Sequence, residues 1–205
     1  MSENVHPGIN LGASHGEAHH GSERTAFGFW IFLMSDLVIF GILFATYVVM
    51  RPNLAGGPGP SELYDLKSIA KQTGLLLASS FTFGLVSLSM KYGSRTGAVA
   101  FWLVITAALG TGFLYLEIKD FARMAGDGGI PQRSGFLSSL WALVGLHGLH
   151  LVAGLAWIGV MLALITARGL SDAVKSRLLL LGLYWHFLDL IWIGIFSVVF
   201  LGGMA

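Results

Sequence analysis

The chain has 205 residues, 55% of them hydrophobic and 11% charged. A soluble domain carries about 25% charged and about 45–50% apolar residues, so a water-solvated single-domain enzyme and a disordered chain are both excluded. A net charge of +1 leaves no basic footprint for nucleic acid, and the lack of cysteine excludes disulfides, thiolate-held zinc, iron–sulfur clusters, a cysteine-bridged copper centre and c-type haem.

Residues 1–25 are polar and rich in Gly, His, Ser and Glu. They lack the apolar core and small-residue cleavage site of a signal peptide and read as a flexible tail ahead of a membrane domain over 26–205. The tail holds His15, His19 and His20. In a helix, His15 and His19 would share a face and could chelate a metal, but nothing there orders the backbone, and a solvated tail is the favoured reading.

Five long apolar stretches follow, over 27–50, 73–90, 98–116, 135–167 and 178–205, and all twelve Lys and Arg lie outside them. About 20 apolar residues cross about 30 Å of hydrocarbon as a helix. The fourth stretch would be about 50 Å long, too short for two crossings, and reads as one tilted helix that overshoots the bilayer. Continuous apolar runs, without the period of two of a barrel strand, favour helices. The expected fold is an all-α bundle of five transmembrane helices with a flexible N-terminal tail. The Pro/Gly cluster R-P-N-L-A-G-G-P-G-P-S breaks the chain after the first span, and A-G-D-G-G-I-P-Q-R-S-G breaks it after the third. Lys and Arg divide six against six between the two faces, so the positive-inside count is tied. Lys91 and Arg95, close to the membrane in a short loop, mildly favour a cytoplasmic N-terminus.

The acidic residues inside the stretches are Asp36 and Asp189, with Glu117 at the margin of the third. A carboxylate in hydrocarbon costs about 2.5–3.5 kcal/mol on insertion scales, so each must face the bundle, water or a partner. For Asp36 a proton-handling or lipid-anchoring role and an interhelical packing role stand equal. Glu117 and Asp120 share a face and could bind a cation or pair with Arg123 or Arg133; as residues they read first as an interfacial polar end. His147 and His150 lie on one face of the fourth span, and His186 and Asp189 on one face of the fifth. Two imidazoles three apart plus a third elsewhere can ligate metal or haem. Hydrogen bonding between helices is favoured, with His186 donating to Asp189, and glycines 145, 148 and 154 letting a neighbour come close.

G-L-H-G-L-H-L-V-A-G followed by Y-W-H-F-L-D-L-I-W resembles subunit III of haem–copper respiratory oxidases. F-L-M-S-D-L-V-I-F resembles that family's first core helix, and L-E-I-K-D-F with Q-R-S-G-F-L-S its middle section. The likeness covers about residues 24–205, with four motifs in the family's order. Among family members it is most similar to the five-helix form of bacterial bo-type ubiquinol oxidases. Asp36 stands where the family often has Glu, a carboxylate reactive toward carbodiimides in some members. Glu117, His147, His150, His186 and Asp189 match the family's buried polar positions, which serve helix packing and bound phospholipid and carry no metal.

The resemblance implies an accessory subunit without cofactor or catalytic residue of its own. It would sit in a proton-pumping oxidase of the bacterial inner membrane that oxidises ubiquinol and reduces oxygen to water. Haem and copper would lie in the partner subunit I, with subunits II and IV and membrane lipids as further partners. The chain would stabilise subunit I and support proton uptake, with its N-terminus cytoplasmic and its C-terminus periplasmic. Subunit III of a cytochrome c oxidase is the nearest alternative. A His-ligated membrane cytochrome and a small proton-coupled transporter, motivated by Asp36 and Asp189, are more remote.

Overall fold

The computed structural model describes residues 17–92 and 96–204. The elements are α1 (Glu17–Met50), the single turn α2 (Pro60–Leu63), α3 (Leu66–Tyr92), α4 (Thr96–Gly126) and a 3₁₀ turn over Pro131–Arg133. Then come α5 (Gly135–Arg168) and α6 (Asp172–Gly194), continued by a π-helix over Ile195–Leu201 and the short α7 (Gly202–Met204). Five of these helices are long and apolar enough to cross a membrane, as the composition predicts. α1 starts at Glu17, inside the stretch expected as tail. His15 and the side chains of His19 and His20 lie outside the described residues.

The helices outrun the apolar stretches at their polar ends. α3 starts at Leu66 and α4 continues to Gly126. Lys, Glu, Gln and Arg are good helix formers, so the ladder continues past the hydrocarbon boundary. The two loops break where the sequence places Pro and Gly. Ala55 and Gly56 take φ of 48° and 70°, and Pro60 opens α2 at a position that needs no N–H. Ser134 caps α5 by accepting from the Leu137 N–H at 3.1 Å. Arg133 donates to the carbonyls of Gly128 at 3.4 Å and Gly56 at 3.5 Å, joining the α1–α2 and α4–α5 connections on one side of the bundle, the Arg133 face.

α3 and α4 form a close antiparallel pair, α5 packs on α1, α4 and α6, and α6 packs on α1, α3 and α5. The α6 span is 61% buried and the α1 span 17%, so α6 is the axis of the bundle and α1 its rim. α1 turns Phe27, Val38, Ile42 and Val49 outward.

Trp185 of α6 is the central wedge. A Cβ built on Gly110 of α4 would come within 2.9 Å of its ring, and one on Gly154 of α5 within 3.1 Å. The ring therefore lies on bare backbone of two helices, while its Nε1 donates to Ser79 Oγ of α3 at 3.0 Å. One residue thus fixes the distance and rotation of three neighbours. Two turns further on, Trp192 donates to Thr73 Oγ1 at 3.0 Å and meets the Phe113 ring edge-on at 4.6 Å and 87°.

The fifth span departs from an uninterrupted α-helix. Over Ile195–Leu201 the ladder widens to a π-helix, and the Tyr47 hydroxyl donates to the Val199 carbonyl at 3.3 Å. A widened ladder leaves carbonyls open to such outside donors. With its proton so used, Tyr47 accepts from the Tyr64 hydroxyl at 3.2 Å. Burial first, and Tyr47 beside it next, hold the Tyr64 phenol above its ordinary range.

Trp185→Ala should cost about 3–5 kcal/mol in a denaturant titration of the detergent-solubilised protein, since it empties the wedge. Gly110→Ala, which drives a methyl into a rigid ring, should cost about 1–3 kcal/mol. Gly145→Ala, with nothing within 4 Å of the added carbon, should be neutral or stabilising. Equal effects at Gly110 and Gly145 would remove the close-approach account.

Candidate functional site

The carboxylates and imidazoles singled out within the spans fall into three groups. The first joins α1, α5 and α6. The Nδ1 of His150 lies 2.8 Å from the Leu146 carbonyl of its own helix. A carbonyl only accepts, so Nδ1 carries the proton and Nε2 is the open position. Nε2 points at Asp36 Oδ2, 3.5 Å away, a gap longer than a hydrogen bond. The Phe40 ring lies 5.3 Å from the imidazole, and Tyr184 stacks on it at 6.5 Å and donates to the His150 backbone carbonyl at 2.8 Å. Asp36 is buried with Oδ2 unbonded. A proton taken up by either Asp36 or His150 would give the pair the donor that it lacks.

The second group joins α4, α5 and α6. Glu117 is 4% exposed, so the reading of an interfacial helix end is corrected: α4 continues past it to Gly126, and the carboxyl turns inward. A Cβ on Gly148 would stand 2.9 Å from Glu117 Oε2, so the carboxyl rests on bare α5 backbone. Neither carboxyl oxygen has a hydrogen-bond partner. His147, fully buried, is likewise unbonded at both ring nitrogens. It lies 5.3 Å from the Trp192 ring and 5.9 Å from Phe113. The interhelical hydrogen bond expected of His147 is thus absent, because aromatic rings flank the imidazole.

The third group joins α3 and α6. His186 is corrected from a buried to a half-exposed position, with 49% of its side chain accessible. Its Nδ1 pairs with Ser80 Oγ at 2.7 Å and stands 3.8 Å from Asp189 Oδ2. The expected His186–Asp189 hydrogen bond is therefore not formed: the hydroxyl across the interface claims Nδ1, and Asp189 turns inward with both oxygens unbonded. Only the cross-helix bond of His186 matches the expected interhelical pattern.

A fourth cluster lies on the Arg133 face, where the Asp120–Arg123 pairing offered by the sequence is joined by Ser68 and Gln72, which the sequence does not single out. Asp120 Oδ2 accepts from Ser68 Oγ at 2.7 Å and from Gln72 Nε2 at 2.6 Å. Arg123 lies 3.6 Å from Asp120 and 3.4 Å from Asp65, while Arg133 serves the loops instead. The signal was the four-residue spacing of Ser68 and Gln72, which puts both on one face of α3.

Among the described residues no three His, Cys, Asp or Glu gather as a metal-binding set. His147 sits between Phe113 and Trp192, and His186 against Phe83 and Ser80, so the two rings occupy separate surroundings.

Comparison with known proteins places this arrangement. The family described as Cytochrome c oxidase subunit III matches residues 9–204. The chain is 45% identical over 193 residues to the cytochrome bo(3) ubiquinol oxidase subunit 3 of Pseudomonas aeruginosa, covering 94% of this chain and 92% of that one. It is 42% identical over 178 residues to the quinol oxidase subunit 3 of Bacillus subtilis, covering 87% of each. The subunit 3 of Buchnera aphidicola is also 42% identical over 178 residues, covering 87% of this chain and 91% of that one. The motifs around Asp36, Glu117, His147 and His186 therefore sit within a match spanning nearly the whole sequence, and the chain belongs to the cytochrome c oxidase subunit III family.

Proposed function

We propose that the chain is the accessory, non-redox third subunit of a proton-pumping terminal oxidase that takes electrons from ubiquinol and reduces oxygen to water. The observation that carries this reading is the family match over residues 9–204 together with 45% identity to a protein named as a ubiquinol oxidase subunit. In it, haem and copper belong to subunit I, subunits II and IV complete the complex, and this chain holds phospholipid and supports proton uptake. It lies in the bacterial inner membrane with its N-terminus cytoplasmic and its C-terminus periplasmic.

The architecture supports a docking role. α1 carries a broad outward apolar surface, whose exposed large residues include Phe27, Trp30, Phe32 and Val38. Without a hydrophobic force between helices in lipid, such a surface binds a partner through packing. Asp36 and His150 support a proton-handling role: they face each other at 3.5 Å just inside that rim helix. The name of the matching family favours a second reading, in which cytochrome c is the electron donor. Turnover of the purified complex with ubiquinol against reduced cytochrome c separates the two.

The complex extracted in mild detergent through a tag on this chain should carry haem and oxidise ubiquinol, whereas the chain expressed alone should show no haem absorption. Stoichiometric haem on this polypeptide by itself would overturn the proposal. Asp36→Ala should leave the complex assembled, judged by native gel and haem content, while altering turnover or the lifetime of activity. Loss of the complex would instead assign Asp36 a packing role.

A further inference from the structure

The outer surface of α6 is a narrow stripe. Between Leu178 and Phe196 its exposed residues are Leu183, His186, Leu190 and Ile193, spaced three and four apart on one face. Two other helices hold the flanks of this stripe. Gly182 lies against the Phe83 ring of α3 and Gly194 against the Phe44 ring of α1; a Cβ built on them would come within 2.9 Å and 3.1 Å of those rings. Among the described residues α1 and α3 do not pack closely on each other, so the stripe is the floor of a furrow between them. The α3 wall is apolar, with Leu77 and Phe81 exposed on it.

One residue of the floor is polar. His186 sits at the middle of the span Asp172–Leu201, and Ser80 near the middle of the span Leu66–Lys91. The imidazole is half-exposed, with Nδ1 taken by Ser80 Oγ at 2.7 Å. Among the described residues the Ser80 hydroxyl has no other acceptor, so it donates to Nδ1, and Nε2 carries the ring proton. Nε2 is then a donor without an acceptor among the described residues. Asp189 does not serve, since it turns inward and lies 3.8 Å from Nδ1. At mid-bilayer a hydrocarbon tail cannot accept a hydrogen bond, and polar side chains there pair with something.

We propose that the furrow between α1 and α3 seats one transmembrane helix of another subunit, and that this helix sets a side-chain oxygen against His186 Nε2. The three- and four-residue spacing of the floor suits knobs-into-holes packing at about 20° between helices. Lipid tails would cover Leu183, Leu190 and Ile193 but leave the imidazole proton unmet, whereas a helix bearing one acceptor satisfies both. The furrow adjoins the outward apolar surface of α1, so a partner lying on that helix reaches it. That the partner is an oxidase subunit rests on the reading above; the furrow and the acceptor rest on this geometry.

The test places the photo-cross-linker benzoylphenylalanine at Leu190, or at Leu183 where the first variant fails to assemble. Irradiation in native membranes, followed by extraction through a tag on this chain, should join the probe to a membrane-spanning segment of another chain. Sequencing of the cross-linked peptide should find an oxygen-bearing side chain near the middle of that segment. His186→Leu should speed the loss of that partner during detergent washing about threefold, the size of an average interhelical hydrogen bond, and His186→Gln, which keeps an N–H, should restore much of the retention. Adducts with lipid alone or with a second copy of this chain, no adduct at all, or a partner segment without such a side chain would overturn the proposal. So would partner loss in His186→Leu at the unaltered rate, or His186→Gln no better than His186→Leu. Haem is read separately on the same extract: its absence beside an intact cross-link counts against the oxidase reading and leaves this one standing.

Discussion

The bundle depends on the seat of Trp185. In lipid, hydrocarbon tails are as apolar as side chains, so helices gain little by merely covering one another and hold together through close contact and cross-helix hydrogen bonds. Trp185 provides both. Its ring fills space that Gly110 and Gly154 leave by lacking a side chain, and its indole N–H is matched by Ser79. Any larger residue at Gly110 would move α4 away from α6. Thr73 and Trp192 repeat the arrangement nearer the Arg133 face, and Phe113 and Phe200 close around that second ring.

This tight frame makes the polar groups conspicuous. A packed apolar interior would be simpler to stabilise without Asp36, Glu117, His147 and Asp189, all buried with at least one unbonded polar atom. The frame holds them at different interfaces: Asp36 against α5, Glu117 and His147 between α4 and α5, Asp189 on α6. Buried ionisable groups at membrane depth are costly and are kept where they do something. The geometry offers one pair a way to satisfy itself: the open Nε2 of His150 faces Asp36 Oδ2 at 3.5 Å, and a single proton between them would supply the missing donor.

The polar residues themselves were legible, since a carboxylate or imidazole in an apolar run stands out by type alone. Their partners were less so. The i,i+3 spacing of His186 and Asp189 suggested a bond, yet Ser80, more than a hundred positions away in the chain, takes the imidazole nitrogen. Glu117 looked interfacial because the apolar run stops at 116, but a helix does not end where its hydropathy does, and α4 carries the residue inward. Ser68 and Gln72 escaped notice because neutral polar residues near a helix end are ordinary until a carboxylate such as Asp120 is found opposite them.

The sequence by itself determined the number of spans, the positions of the two Pro/Gly breaks, the intramembrane carboxylates and imidazoles, and the family motifs. Bilayer thickness imposes a length on every apolar run, and that length can be counted. The tertiary structure alone decided how each helix is turned about its axis. A membrane helix is apolar toward lipid and toward its neighbours alike, so no amphipathic period marks the inner face. That face is set by where Trp185 finds two glycines, where Glu117 finds Gly148 and where His186 finds Ser80, fits between segments far apart in the chain that exist only once the helices are side by side.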